Sequence, residues 1–362
     1  IEKMRNKFVE NVNPYKPSDR KSFNEVDLYL DWNESDLIWS NLEKKIFPLV
    51  KPKSLNRYPD LNNLNTINSL EDYVGEKCSI DLYPGSDNAH EYILRAFKTE
   101  AASVFILDPG YSNFRVSAQS LGYDIDTLTL KNEDISDFDF LFSKLLGLKK
   151  APNIFYLINP HSPTGNTFTK NQIEKLLIKY SNSLFIIDEA YVDFSIDLSS
   201  VSLIKKYPNL IITRSFSKAF SLAGSRIGFS ITNKSNSNHL KKIINTKHLT
   251  DVSKTIILHT MENINELKDH VSRIKKNVEK IHNVFKFMNL SELNQFNTNF
   301  YFLLFSNKKN RNDLYNFFLK NKILTRKIDS FDKSLCGLRI TIPGKDNSFK
   351  KLLIASKEYL KK

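Results

Sequence analysis

Cysteine is nearly missing from this chain of 362 residues: Cys78 and Cys336 are the only two, far apart and without metal or redox spacing. That excludes a disulfide framework, a zinc ribbon and a paired-cysteine redox centre, and a reducing compartment, the cytoplasm, is the economical expectation. No apolar run approaches the roughly 20 residues that a membrane helix needs. Residues 1–12 mix charged with apolar side chains and carry no apolar core, so no secretory signal is expected there. Phosphate-binding P-loops, dinucleotide fingerprints, internal repeats and low-complexity linkers are also absent. His90-Glu91-Tyr92-Ile93-Leu94 opens like a zinc-protease helix, but Leu94 stands where the second histidine belongs, and no metal is expected. Acidic residues are the scarcer charge, 40 against 53 Lys and Arg, for a net charge of +13. The lysines are dispersed beside apolar residues, as on solvated helix faces, so neither nucleic acid nor a membrane is an expected partner. Steering of small anions toward the protein remains a consequence of that charge.

What is present centres on Lys218. The run Ser215-Phe216-Ser217-Lys218 follows an apolar strand, Asn209 to Thr213, and Arg226 lies a short distance beyond. A lysine there suits a Schiff base, while two hydroxyls and a permanent cation suit a phosphate ester. Together they are the requirements of pyridoxal phosphate, whose aldehyde takes a lysine and whose phosphate must be held beside it. Ser183 to Asp188 reads as a buried strand ending on an acid that can pair with a pyridinium nitrogen. Asn153 to Ile158 and Ser103 to Leu107 are further apolar strands, the latter leading to Asp108-Pro109-Gly110-Tyr111. Helix-period stretches such as Lys170 to Tyr180 lie between them. Strands alternating with helices predict an α/β fold whose mostly parallel sheet is covered on both faces, with ligands at the carboxyl ends of its strands. Gly85-Ser86-Asp87 precedes an amphipathic stretch, Ala89 to Phe97, whose free backbone amides would form a second anion site. An ordinary N-cap role for Asp87 is compatible with it.

These motifs, in this order, resemble the fold-type I pyridoxal phosphate aminotransferases, and most closely their histidinol-phosphate aminotransferase branch, over nearly the whole chain. Asn13-Pro14-Tyr15, Asp31-Trp32-Asn33-Glu34 and Asn56-Arg57-Tyr58-Pro59 match its N-terminal elements, and Gly337-Leu338-Arg339-Ile340-Thr341 its substrate-arginine strand. The resemblance implies that Lys218 is the Schiff-base lysine, Asp188 the pyridinium partner and Tyr191 the neighbour of the phenolic oxygen. It implies a phosphate clamp of Ser86, Asp87, Ser215, Ser217 and Arg226, with Tyr111 stacked on the ring and Tyr58 reaching in from the partner of a homodimer. Tyr15, Asn33, Arg326 and Arg339 would then bind substrate.

Two positions depart from that branch. Ser162 stands before Pro163-Thr164-Gly165 where the branch has an asparagine that bonds the phenolic oxygen; a hydroxyl can still donate, directly or through water. Ser35 follows Asn33-Glu34 where a proline is usual, in a segment that approaches substrate. The expected plan is an N-terminal arm over residues 1–30, a large cofactor-binding domain over 31–245 and a small C-terminal α/β domain over 246–362. The expected activity is transamination between an amino acid, glutamate by default, and a small phosphorylated compound. Histidinol phosphate is the branch default, and dihydroxyacetone phosphate or serinol phosphate suits the altered segment as well. Decarboxylation of a phosphorylated amino acid is the alternative, and the lysine segment argues against it.

Overall fold

The computed structural model describes residues 6–10, 12–14, 20, 25–51, 55–288 and 296–361. Its strands, in chain order, are β1 Leu28–Tyr29, β2 Ser79–Tyr83, β3 Ser103–Asp108, β4 Asp124–Thr129, β5 Ile154–Ile158, β6 Leu184–Asp188, β7 Leu210–Ser215, β8 Gly228–Thr232, β9 Phe300–Phe305, β10 Ile323–Leu324, β11 Arg326–Asp329 and β12 Cys336–Thr341. Seven of them form one sheet in the order β2-β8-β7-β6-β5-β3-β4. All run parallel except β8, which is antiparallel to both neighbours. The central strands β5, β6 and β7 are buried almost throughout and apolar up to their carboxyl ends, as strands covered on both faces must be. The predicted α/β sheet is therefore present, and the apolar residues divide into clusters on its two faces.

The helices follow their local signals. Thr169 and Gln172 form a reciprocal capping box at the start of Lys170–Lys179, which buries Ile173, Leu176 and Leu177. The helix expected from Ala89 instead starts at Ser86 and runs to Ala96, because Gly85 at φ +92° turns the chain directly into it. Its buried side chains are Ala89, His90, Ile93 and Leu94. The reason is that this helix packs across β7 and β8, where His90 finds a polar partner in Thr213.

A second sheet, β11-β12-β9, is antiparallel and flanked by the helices Ile264–Phe285, Lys308–Lys320 and Asp346–Tyr359. The segment at 28–36 is stitched to this C-terminal unit. β1 pairs with β10, the Leu30 carbonyl accepts from the Thr341 N–H, and Asp36 accepts from the amides of Gly344 and Lys345. Immediately afterwards Leu37 and Trp39 donate to Ser221 and Phe220, next to Lys218. The chain thus crosses between the two sheets at residues 36–37. Among the described residues no helix is long and apolar enough to cross a membrane.

Candidate active site

The carboxyl ends of β3, β5, β6 and β7 and the start of the helix Ser86–Ala96 meet at one edge of the large sheet. There they surround a cavity of about 1070 Å³ whose other wall is the small sheet. Ser86, Asp87, Tyr111, Ser162, Asp188, Tyr191, Ser215, Ser217, Lys218, Arg226, Arg326 and Arg339 all line it. Sequence neighbours such as Asp188 and Glu189 point opposite ways, since side chains alternate across a strand. Asp188 takes the cavity face, while Glu189 receives the Arg214 guanidinium at 3.0 and 2.9 Å on the other. Breaking that buried pair would cost about 3–5 kcal/mol, so the two strand ends that carry Asp188 and Ser215 are firmly fixed.

At one end of the cavity the backbone is shaped for an anion. A Cβ on Gly228 would lie 2.4 Å from the Gly85 carbonyl carbon, and one on Gly85 would lie 2.5 Å from the Arg226 guanidinium. Only glycines let Arg226 settle over the start of the helix, whose free amides carry partial positive charge. Arg226 also contacts Ser217 Oγ at 3.5 Å and the Ala223 carbonyl at 3.1 Å. Ser215 Oγ accepts from the Ser217 N–H. The Asp87 carboxylate accepts from the Tyr111 hydroxyl at 2.7 Å and lies 3.7 Å from Arg226. An anion at the helix start would meet the Asp87 backbone N–H, while the side chain is engaged by Tyr111.

Asp188 is 4% exposed. Its Oδ2 accepts from the Tyr156 hydroxyl at 2.6 Å and its Oδ1 from the Ala190 N–H at 3.0 Å. Lys218 Nζ donates to the Trp32 carbonyl at 3.0 Å and lies 5.7 Å from the centre of the Tyr191 ring. Burial by itself would raise the Tyr191 phenol. The cations of Lys218 and Arg339 and hydrogen bonds with Asn33 and Ser162 outweigh it and bring the phenol below its usual value.

Arg326 and Arg339 are direct partners across the β11–β12 ladder, which puts both guanidinium groups on one face, toward the cavity. Arg339 donates to Ser162 Oγ at 3.2 Å and to the Asp31 carbonyl at 2.8 Å, and it lies over the Phe300 ring. It therefore joins the small sheet, the segment at 31 and the turn at 162.

Two expected site residues do not line this cavity, and a third lies outside the described residues. Asn33 is fully buried behind the cavity wall, donating to the Tyr191 hydroxyl at 2.9 Å and accepting from Thr341 Oγ1 at 3.0 Å, so it reaches the cavity through Tyr191. Tyr58 is 78% exposed, away from the cavity, beside Lys247. Tyr15 lies outside the described residues, although Asn13 and Pro14 line the cavity. In the sequence His90 stands only in a failed zinc motif, and neither Tyr156 nor the Trp32 carbonyl carries a role there. Tyr156 was open to inference, because it stands two residues before Ile158, the register partner of Asp188, and so shares the acid's face.

A family model described as aminotransferase class I and II matches residues 29–354. The chain belongs to the class I and II aminotransferases. Among the relatives of this aminotransferase is the dihydroxyacetone phosphate transaminase of Campylobacter jejuni, 34% identical over 275 residues that cover 74% of each chain. Another is a histidinol-phosphate aminotransferase of Buchnera aphidicola, 32% identical over 280 residues, covering 76% of this chain and 72% of the relative. The histidinol-phosphate aminotransferase of Sinorhizobium meliloti, solved with pyridoxal 5'-phosphate, superposes with a TM-score of 0.84. It is 20% identical, and the match covers 99% of this aminotransferase and 98% of that chain. The cofactor of such enzymes fits this chain by its own geometry. A glycine-shaped anion cradle, a buried carboxylate and a lysine amine share one cavity, which is large enough for a cofactor and a small substrate together.

Proposed function

We propose that this aminotransferase moves an amino group between an amino acid, glutamate by default, and a small phosphate monoester, either histidinol phosphate or a three-carbon compound such as dihydroxyacetone phosphate or serinol phosphate. The observation that carries this reading is the Arg326–Arg339 pair, which faces the cavity from the small sheet while Arg226 serves the cofactor end. Two guanidinium forks are more than one substrate carboxylate requires, and they suit a doubly charged phosphate. Both named relatives act, by name, on phosphate monoesters.

When bound, pyridoxal phosphate supplies a sink for the electrons left as the substrate's α C–H bond breaks. Ser86, Ser215, Ser217, Arg226 and the amides at the helix start would hold its phosphate. Tyr111 would lie against its ring, and Tyr191 and Ser162 would address its phenolic oxygen. Asp188 would keep its nitrogen protonated. Lys218 would hold the cofactor's aldehyde carbon and, when its amine is free, would carry the proton from the substrate's α carbon as general base. Arg339 orients the substrate while tied to Asp31 and Ser162, so its fork is set before substrate arrives.

The enzyme works as a cytoplasmic homodimer in this reading. Phe47, Leu55, Tyr58, Leu61 and Leu64 are more than half exposed within one short stretch of chain, an apolar surface that a second copy would cover, carrying Tyr58 with it. The arm at 1–30, the domain at 31–245 and the domain at 246–362 are the proposed units, with residues 28–36 hydrogen-bonded to the third. Incubation with glutamate and a panel of phosphorylated ketones tests the reaction class: 2-oxoglutarate should form. Release of carbon dioxide from a phosphorylated amino acid, without 2-oxoglutarate formation, would establish a decarboxylase instead.

A further inference from the structure

The face of the large sheet that carries Asp188 also buries a histidine that the scheme above does not use. His90 lies four residues beyond Ser86, one turn into the helix whose start faces the cavity, and it is 1% exposed. Its Nε2 is 2.9 Å from Thr213 Oγ1 and 3.6 Å from Asp188 Oδ2, while its Nδ1 is buried without a hydrogen-bond partner. The ring packs edge-on against Phe114 and Tyr156, which stack on one another at 3.6 Å. Tyr156 is the residue whose hydroxyl donates to the same Asp188 oxygen at 2.6 Å.

The surroundings select one state of this imidazole. With its proton on Nδ1, a buried donor would have no acceptor and the Nε2 lone pair would face a carboxylate. With its proton on Nε2, the N–H points to Thr213 and Asp188, and only an acceptor site is left unmet, the cheaper loss. The charged and titratable groups around it are Asp188 and Tyr156 on the sheet and Asp87 on its own helix. Burial outweighs the pull of the two carboxylates and keeps the imidazole below its usual range, hence neutral. An imidazolium at that distance would compete with the cofactor for the charge of Asp188. A neutral N–H dipole supports that charge without cancelling it.

We propose that His90 and Tyr156 are positioning residues that orient Asp188 and hold its negative charge available to the ring nitrogen of the cofactor. This rests on the reading of Asp188 given above. It assigns the histidine a task carried out through the acid, with no contact to substrate.

The test compares holoenzyme of wild type, Asp188→Ala, Tyr156→Phe, His90→Phe and His90→Gln. The readouts are the pH midpoint of the bound cofactor's visible absorbance, the cofactor dissociation constant and the melting temperature. Asp188→Ala sets the direction of the midpoint shift. Tyr156→Phe keeps the stacked ring and loses the donor, so its midpoint should move the same way by about half a unit or more, with cofactor binding weakened about tenfold. His90→Phe should do likewise with a smaller change, about threefold in binding. His90→Gln can place an amide N–H near the Nε2 position and should restore wild-type behaviour. Wild-type midpoints in both Tyr156→Phe and His90→Phe, alongside a shifted Asp188→Ala, would overturn the proposal, whether or not melting temperatures fall. If His90→Phe does not fold, Tyr156→Phe and His90→Gln decide it. An unshifted Asp188→Ala would overturn the underlying reading of the acid itself.

Discussion

Replacing Arg339 by lysine probes how substrate is recognised with little disturbance elsewhere. Arg339 reaches Ser162 Oγ through Nη1 at 3.2 Å and the Asp31 carbonyl through Nη2 at 2.8 Å, and it faces Arg326 across the ladder. Lysine keeps the charge but offers a single point donor in place of a planar fork. At least one charge-assisted hydrogen bond to the substrate anion is then lost, at about 1.5–3 kcal/mol, which predicts a fall in kcat/KM of about 10- to 100-fold. The cofactor should remain bound, because Ser215, Ser217 and Arg226, which would hold its phosphate in the proposed site, line the opposite end of the cavity. Steady-state kinetics with a phosphorylated ketone and glutamate, beside the absorbance spectrum of the same preparation, separates the two effects. A kcat/KM within about threefold of wild type would refute the role of Arg339, and so would loss of the cofactor with no other change.

Other expectations follow from the same geometry. Borohydride reduction and peptide mapping should place the cofactor label on Lys218, and Lys218→Ala should abolish turnover; label on another lysine contradicts the assignment. Mixing Tyr58→Phe subunits with Lys218→Ala subunits should restore activity, since both lesions fall in one shared site and leave the other intact; confirmed heterodimers without activity would remove Tyr58 from the site. Burial pushes the His161 imidazole from 6.5 down to about 3. The unfolded chain therefore takes up a proton that the folded chain refuses, and stability should fall as pH drops through that window. His161→Asn should flatten this decline in urea melts, and an unchanged slope would exclude His161 as its cause.

Local signals carried the large sheet and the residues that sit at its own strand ends. The apolar strand β6 ending on Asp188, the hydroxyl-rich turn before Lys218 and the glycine before Ser86 each hold their chemistry within a few residues, so spacing reveals them. Contacts made across the sheet do not show that way. Nothing near His90 in sequence shows that Thr213 and Asp188 lie against it, because the pairing arises when the helix Ser86–Ala96 is laid over β7. The same holds for Asn33, a substrate contact by analogy, which the stitching of Leu30 and Asn33 to Thr341 carries behind Tyr191. Ser162 sits in between. Its substitution for asparagine is visible in sequence, whereas its bond to Arg339 depends on how the small sheet meets the large one.

The measurement closest to the central claim is the ratio of kcat/KM for a phosphorylated ketone to that for the same ketone without its phosphate, with glutamate as donor. Two guanidinium groups that would lose their anion predict a ratio above about 100, for dihydroxyacetone phosphate over dihydroxyacetone, and likewise for histidinol phosphate over histidinol when 2-oxoglutarate is the acceptor. Equal turnover of the phosphorylated and unphosphorylated forms would contradict the account and make the Arg326–Arg339 face a site for amino-acid carboxylates alone.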